Sequence, residues 1–362
     1  MQVIRDRRAL HAIPELELNL PKTAAYLRAA LEPLNCRLSY PMGHAICAFF
    51  DFGAADALAF RADMDALPIP EETGLSFAST HPGMMHACGH DGHMATLLEL
   101  ARRLDKKESL PHNVLLIFQP GEESPGGAKP LCETGILEKY KVKAIFGLHL
   151  WPGLEKGVVF TRENGLMSRG SELNVDIYGK SSHIGNAAAG IDATAAAVEF
   201  YRQMRSAEAA LPDHIFRLLN FGKIESGTVR NAISAHAHME GSLRAFEEEV
   251  FEGLKKRIFE IKDDVEAKFG CRVEIWMSEG YPAVMNTPEM VAQVQKIAPV
   301  KLLDKPSMTS EDFAEYQLLV PGVFFFLGTG DTAALHATTF DFDEKILLKG
   351  ADLFERLAEN FQ

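Results

Sequence analysis

Four short apolar runs punctuate the chain: Ala57–Arg61, Val114–Phe118, Ala144–Leu148 and Val323–Leu327. Each is bounded by glycine, proline or charge, which predicts a buried strand. Helical spacing of apolar residues occupies Thr23–Glu32, Gly92–Leu104, Pro130–Tyr140 and Lys345–Phe361. Strands and helices in alternation predict an α/β unit, an αβα sandwich around a largely parallel sheet. The middle of the chain has a different rhythm. Glu172–Tyr178 alternates apolar and polar residues, and an alanine-rich helix, Asp192–Glu208, follows. Two more alternating segments, Ile215–Ile224 and Ala232–Leu243, flank a turn-rich stretch at Glu225–Gly227. An amphipathic helix, Glu247–Phe269, and a strand, Cys271–Met277, complete the set. The order β-α-β-β-α-β predicts a ferredoxin-like α+β unit. The expected organisation is therefore a catalytic domain at 1–168 and 280–362, with an inserted lid or dimerisation domain at 169–279.

Composition narrows the function. At 362 residues the chain is long enough for two domains. Its 37 Lys+Arg against 50 Asp+Glu give a net charge of -13. That balance argues against nucleic acid or an anionic membrane as partner and points to a small-molecule enzyme. No N-terminal targeting run is visible, because Arg5, Arg7 and Arg8 interrupt the first ten residues. No stretch is apolar enough to span a bilayer. The five cysteines, Cys36, Cys47, Cys88, Cys132 and Cys271, are scattered and odd in number. This suits a reducing, cytoplasmic setting and leaves Cys88 available as a ligand.

Metal-type donors gather at the ends of the predicted strands. Cys88 and His90 precede the helix that starts near Asp91. Glu123 lies in the loop after Val114–Phe118, His149 directly after Ala144–Leu148, and His336 in the loop after Val323–Leu327. Parallel sheets place their sites at this edge. A lone histidine is ordinarily a core or surface residue, but five donors at strand exits are a different matter. Five exceed one tetrahedral site with an open position and suit two ions about 3.5–4 Å apart, which the Cys88 thiolate can bridge. Thiolate with imidazole favours Zn, Ni, Co or Mn over Mg and Ca. Glu122, adjacent to Glu123, is the candidate general base for a water held at the centre.

These motifs carry a family resemblance. Arg61-Ala-Asp63-Met-Asp65-Ala-Leu67-Pro68, Met85-His-Ala-Cys88-Gly-His90-Asp91, Gln119-Pro-Gly-Glu122-Glu123 and Gly147-Leu-His149 resemble the aminoacylase/carboxypeptidase superfamily of metallopeptidases (peptidase family M20), in its amidohydrolase branch. Arg8-Ala-Leu-His11 with Pro14-Glu15, and Thr309-Ser-Glu311-Asp312-Phe313, extend the likeness over nearly the whole chain. The resemblance implies Cys88, His90, Glu123, His149 and His336 as ligands of two divalent metal ions and Glu122 as base. It also implies Asp63 and Asp312 as carboxylates that orient ligands. In the insert, His183 is similar to a residue that stabilises the oxyanion, in its own or a partner's site. Asn231 and Arg244 are similar to residues that hold the substrate carboxylate. Ser124-Pro-Gly126-Gly127-Ala128-Lys-Pro130 and Ser171-Glu172-Leu173 look closest to N-acetyldiaminopimelate deacetylases, which act in lysine biosynthesis.

The expected activity is thus removal of an acyl group, acetyl by this likeness, from an N-acyl amino acid. A broad N-acyl-amino-acid or hippurate-type hydrolase, a metal aminopeptidase or dipeptidase, and a non-catalytic metal-binding homologue are the alternatives. A homodimer through the insert's exposed edges is also expected. Two positions depart from the family pattern: His183 runs into Ile184-Gly-Asn-Ala187 in place of a Pro-His pair, and Gly121 replaces a common alanine, a change expected to matter little. His11, His81, His86, His93, His236 and His238 are read as structural or solvent-exposed.

Overall fold

Strands Asn113–Gln119, Ala57–Asp63, Val142–Pro152 and Gly322–Gly330 lie side by side and parallel at the centre of an eight-stranded sheet. The structure is a computed structural model that describes residues 1–362. The apolar runs of the sequence lie within these four strands, and almost every residue in the strands is buried. Both sheet faces are covered, as expected for near-continuous apolar strands. Leu58, Phe60 and Ala62 share one core with residues of the helices His90–Leu104 and Leu347–Asn360. On the opposite face Phe324 packs on Phe313, with ring centroids 4.8 Å apart.

The flanking strands depart from the parallel pattern. Ile46–Phe50 runs antiparallel to Asn113–Gln119, Arg37–Ser39 antiparallel to Ile46–Phe50, and Val159–Thr161 antiparallel to Gly322–Gly330. The helix expected over Pro130–Tyr140 is two short helices, Ala128–Glu133 and Ile136–Lys139. Gly135 separates them in a left-handed conformation, φ 71°, which ends a helix rather than continuing it.

The chain divides into two units. One comprises Met1–Leu166, Met285–Lys305 and Asp312–Gln362; the other comprises Met167–Val284 and Pro306–Glu311. The divisions thus fall at 166/167 and 284/285, where the sequence pattern places them at 168/169 and 279/280. The short return of 306–311 to the insert has a local cause. The Ser168 N–H donates to the Thr309 carbonyl at 2.8 Å, and the Ser168 hydroxyl to the Met308 carbonyl at 2.9 Å.

The insert is a four-stranded antiparallel sheet in the order Arg272–Met277, Arg169–Tyr178, His236–Ala245, Arg217–Ser226. Its helices, Ala193–Ala209 and Glu248–Phe269, share a core with Leu173, Val175, Ile177, Ala237 and Met239. Asp192 caps the first helix by accepting the N–H groups of Thr194 and Ala195. Gly270, φ 64°, ends the second. Strand alternation turns Asp176, His236 and His238 to the face away from that core. No helix of either unit is long and apolar enough to cross a membrane.

Candidate metal centre

Parallel strands end on a common edge, and the donors of the larger unit collect there. Asp63 ends one strand and pairs in register with Gln119, the last residue of its neighbour. His149 lies within a strand that runs on to Pro152, rather than after it. Cys88 and His90 flank Gly89, which caps the helix His90–Leu104 in a left-handed conformation, φ 87°. A side chain at position 89 would be strained there, and its Cβ would sit 3.0 Å from Leu150 Cδ1. His336 itself has φ 65°, and its N–H donates to the Ala87 carbonyl.

Two donor triads share one cysteine. Cys88, His90 and His149 each bring a donor atom within 4.8 Å of the others, and so do Cys88, Glu123 and His336. Cys88 Sγ is 3.4 Å from His149 Nε2 and 3.3 Å from His336 Nε2. His336 Nε2 is 3.1 Å from Glu123 Oε1. A third group joins His90, Glu122 and Glu123, with His90 Nε2 4.0 Å from Glu122 Oε2. Cys88, His90 and His149 are buried, whereas His336 is half exposed and marks the open side of the cluster.

Hydrogen bonds select the ring tautomers. His90 Nδ1 donates to the Asp65 carbonyl at 2.8 Å, and His149 Nδ1 to the Leu150 carbonyl at 2.7 Å. Each assignment leaves Nε2 facing the cluster, the arrangement that outer partners impose on liganding imidazoles. His90 Nε2 is buried and has no hydrogen-bond partner. His93 is different: Nδ1 donates to Asp63 Oδ1 at 2.6 Å, and Nε2 accepts the Leu150 N–H at 2.9 Å. Both its nitrogens are committed to the protein, so His93 orients the Asp63 carboxylate.

The charges suit a cation. Burial pushes the Cys88 thiol well above its ordinary range, and Glu123 and Glu122 push it further. Burial opposes a proton on His90, yet Asp63, Asp65 and Glu123 outweigh it and raise the ring to about 10. Burial works to raise the Glu123 carboxyl, but the adjacent His336 imidazole and the charge of His90 hold it down at about 2. Burial, then the neighbouring His93, keeps His149 neutral, at about 3. A thiol and three carboxylates crowd buried imidazole nitrogens, one of which is orphaned. A soft-to-borderline dication would satisfy all of these groups at once, because it would take the place of the thiol proton and occupy the orphaned His90 nitrogen.

Asp65 has a role that the sequence pattern left unassigned. Its Oδ1 accepts the Glu122 N–H at 2.9 Å, its Oδ2 the Glu123 N–H at 3.0 Å, and its carbonyl the His90 ring. One residue thus orients a donor and the whole Glu pair. The signal was available in Asp63-Met-Asp65, two carboxylates on one side of a strand exit. Asp312 is joined to Asp63 through Arg61: Nη2 reaches Asp312 Oδ1 at 2.7 Å, and Nη1 reaches Asp63 Oδ2 at 2.9 Å. Gln119 donates to the second Asp312 oxygen at 2.7 Å.

Gly121 corrects an expectation. It has φ 74°, and a Cβ there would lie 2.6 Å from Leu18 Cδ2. Gly121→Ala is therefore expected to cost about 1–2 kcal/mol and to weaken metal retention by shifting the Glu122–Glu123 loop. Thermal melts and metal analysis after dialysis check this, and an unchanged melting temperature would refute it.

The three remaining predicted residues belong to the insert. His183 precedes a short 3-10 helix, Ile184–Ala189, and its Nδ1 accepts the Gly185 N–H at 3.1 Å. The Asn231 carbonyl accepts the Ile184 N–H at 2.9 Å, which brings His183 and Asn231 onto adjoining exposed loops. Arg244 stands on the strand His236–Ala245 and donates to the Met308 carbonyl.

Known proteins resemble this chain along its whole length. An uncharacterized hydrolase of Staphylococcus aureus (strain MRSA252) is 32% identical over 375 residues, covering 99% of this chain and 98% of its own. A candidate aminohydrolase from methicillin-resistant Staphylococcus aureus has a structure that superposes with a TM-score of 0.89 at 30% identity, covering 98% of this chain and 95% of its own. The Bacillus subtilis YXEP protein, a dinuclear metal binding peptidase from the M20 family, superposes with a TM-score of 0.86 at 31% identity, covering 99% and 96%. Residues 59–360 match the profile of Peptidase family M20/M25/M40, and the chain belongs to that family.

Proposed function

We propose that this hydrolase is a dinuclear-metal amidohydrolase that removes an acetyl group from an N-acyl amino acid, with N-acetyl-L,L-diaminopimelate as substrate. The observation that carries the reading is the pair of donor triads sharing Cys88, with the Glu122 carboxylate beside them. Cys88, His90 and His149 would hold one ion, and Cys88, Glu123 and His336 the other. Bound there, divalent transition-metal ions would polarise the amide carbonyl and acidify water.

The remaining work falls to the protein. Glu122 takes the proton of the attacking water and returns it to the leaving amine nitrogen, one carboxylate serving as base and then as acid. Asp65 fixes the backbone of the Glu pair, so the Glu122 and Glu123 side chains leave consecutive positions in different directions. His183, acting in its own or a partner's site, would donate to the developing oxyanion, and Asn231 and Arg244 would hold the carboxylate of the amino acid. The substrate assignment rests on the resemblance of Ser124–Pro130 and Ser171–Leu173 to the deacetylases.

The test is acetate release from N-acetyl-L,L-diaminopimelate beside N-acetyl-methionine, and benzoate release from hippurate, with the protein loaded in turn with Zn, Co, Mn or Ni. A strong preference for the diaminopimelate substrate is expected. Broad or hippurate-preferring turnover would keep the mechanism and remove that substrate. Inactivity on all three would overturn the reading.

A further inference from the structure

His236 and His238 stand outside the centre described above, yet they form a donor set of their own. They alternate on one strand with buried Ala237 and Met239, so both rings project from the sheet face that the helices leave open. Both converge on one oxygen of the neighbouring strand. His236 Nε2 is 2.8 Å from Asp176 Oδ1, and His238 Nδ1 is 2.9 Å from the same atom. The other His238 nitrogen is 3.1 Å from Glu240 Oε1. The Tyr178 ring lies 5.1 Å from that of His236 and shields one side.

The local charge is negative. The strand register sets Glu274 opposite Asp176 and Glu225 opposite His238. Lys223 pairs with Glu225 and Glu240, and Arg272 with Glu274. Four carboxylates thus face two basic side chains, and His238 can bond both Asp176 and Glu240 only as a cation. Its hydrogen bond to Asp176, the largest influence on it, does raise its affinity for a proton.

We propose that Asp176, His236 and His238 form a peripheral site for a divalent transition-metal ion on the open sheet face of the insert. Tetrahedral donors bound at about 2.0–2.1 Å are separated by about 3.3 Å, so each imidazole–Asp176 spacing needs to open by a few tenths of an ångström, and the two imidazole nitrogens must turn toward one another to share an ion. Imidazole nitrogen with carboxylate oxygen selects Zn, Co, Ni or Cu over Mg or Ca. The side chains of His236, His238 and Asp176 are 48%, 26% and 30% exposed, so water can complete the coordination. The ion would clip the strand Arg169–Tyr178 to His236–Ala245, and protons would compete with it as pH falls. This inference is independent of the proposed activity.

Equilibrium dialysis of the full chain against zinc chloride, with elemental analysis, tests it. Wild type is expected to retain one more zinc per chain than the His236→Ala/His238→Ala double variant at equal hydrolytic activity. A Cys88→Ser background should show the same difference of one, because the two sites are separate. Asp176→Asn and His238→Gln, which keep the side-chain size, should each weaken the additional zinc at least tenfold. Equal zinc in wild type and a folded double variant would overturn the proposal. If the double variant lacks native circular dichroism, unchanged zinc affinity in the two conservative variants would do so.

Discussion

Glu122→Ala is expected to lower turnover by about 100- to 10,000-fold, the range for removing a positioned general base, while the protein keeps its metal. The expectation follows from the unequal placement of two consecutive carboxylates. Glu123 forms a triad with Cys88 and His336 and lies 3.1 Å from His336 Nε2. Glu122 lies 4.0 Å from His90 Nε2, close enough to serve a water at the cluster. Both backbone N–H groups are tied to Asp65, so the loop does not depend on the Glu122 side chain for its shape. The fall should appear in kcat with little change in KM, since proton transfer is needed in the transition state and not for binding. Elemental analysis of the variant decides the division of roles: loss of metal along with turnover would make Glu122 a ligand. Glu123→Ala is the converse, with metal lost first.

Arg61→Met is expected to destabilise the protein by about 3–5 kcal/mol, because it leaves buried carboxylates without their counter-charge. Arg61 is 2% exposed, and Asp63 and Asp312 are fully buried. The guanidinium bonds both of them and the Gln119 side chain at 2.9 Å. Lysine keeps the charge but lacks the planar fork, so Arg61→Lys should fall between wild type and Arg61→Met. Urea unfolding measures the series, and a loss under about 1 kcal/mol, the worth of an exposed pair, would sink the argument.

The buried Asp63 carboxyl also makes this stability depend on pH. Burial works to raise the Asp63 carboxyl, and His90, His93 and Arg61 together hold it well below the usual range. A depressed folded pKa contributes stability above the unfolded value of about 3.9, and that contribution is withdrawn as pH falls through the folded value. The gap between wild type and Arg61→Met should therefore narrow in acid.

Much of the centre could be read from local pattern. The runs Val114–Phe118 and Val323–Leu327 are apolar because both faces of a central parallel strand are covered, and such strands carry their chemistry at their ends. That is why Cys88, His90, Glu123 and His336 stood out beside predicted strand exits and lie together in space. The ferredoxin-like order of the insert was legible for a related reason: its strands alternate, and its helices have a clear cap or charged face. Other features were silent. Arg37–Ser39 and Val300–Leu302 are three-residue strands, too short to show a period. The return of 306–311 to the insert depends on hydrogen bonds to Ser168, some 140 positions away.

The sequence by itself determined the fold class, the four central strands, the β-α-β-β-α-β order of the insert and the types of donor available, because periodicity and residue chemistry are local properties of the chain. Only the tertiary structure decided that Cys88 belongs to two triads, that His93 spends both nitrogens on Asp63 and Leu150, and that Asp65 orients His90 and both glutamates. It also decided that Gly121 must adopt a left-handed conformation against Leu18. These facts concern which lone pair meets which proton across the fold. They depend on side-chain directions and on distances between residues far apart in the chain, and no spacing along a sequence encodes those.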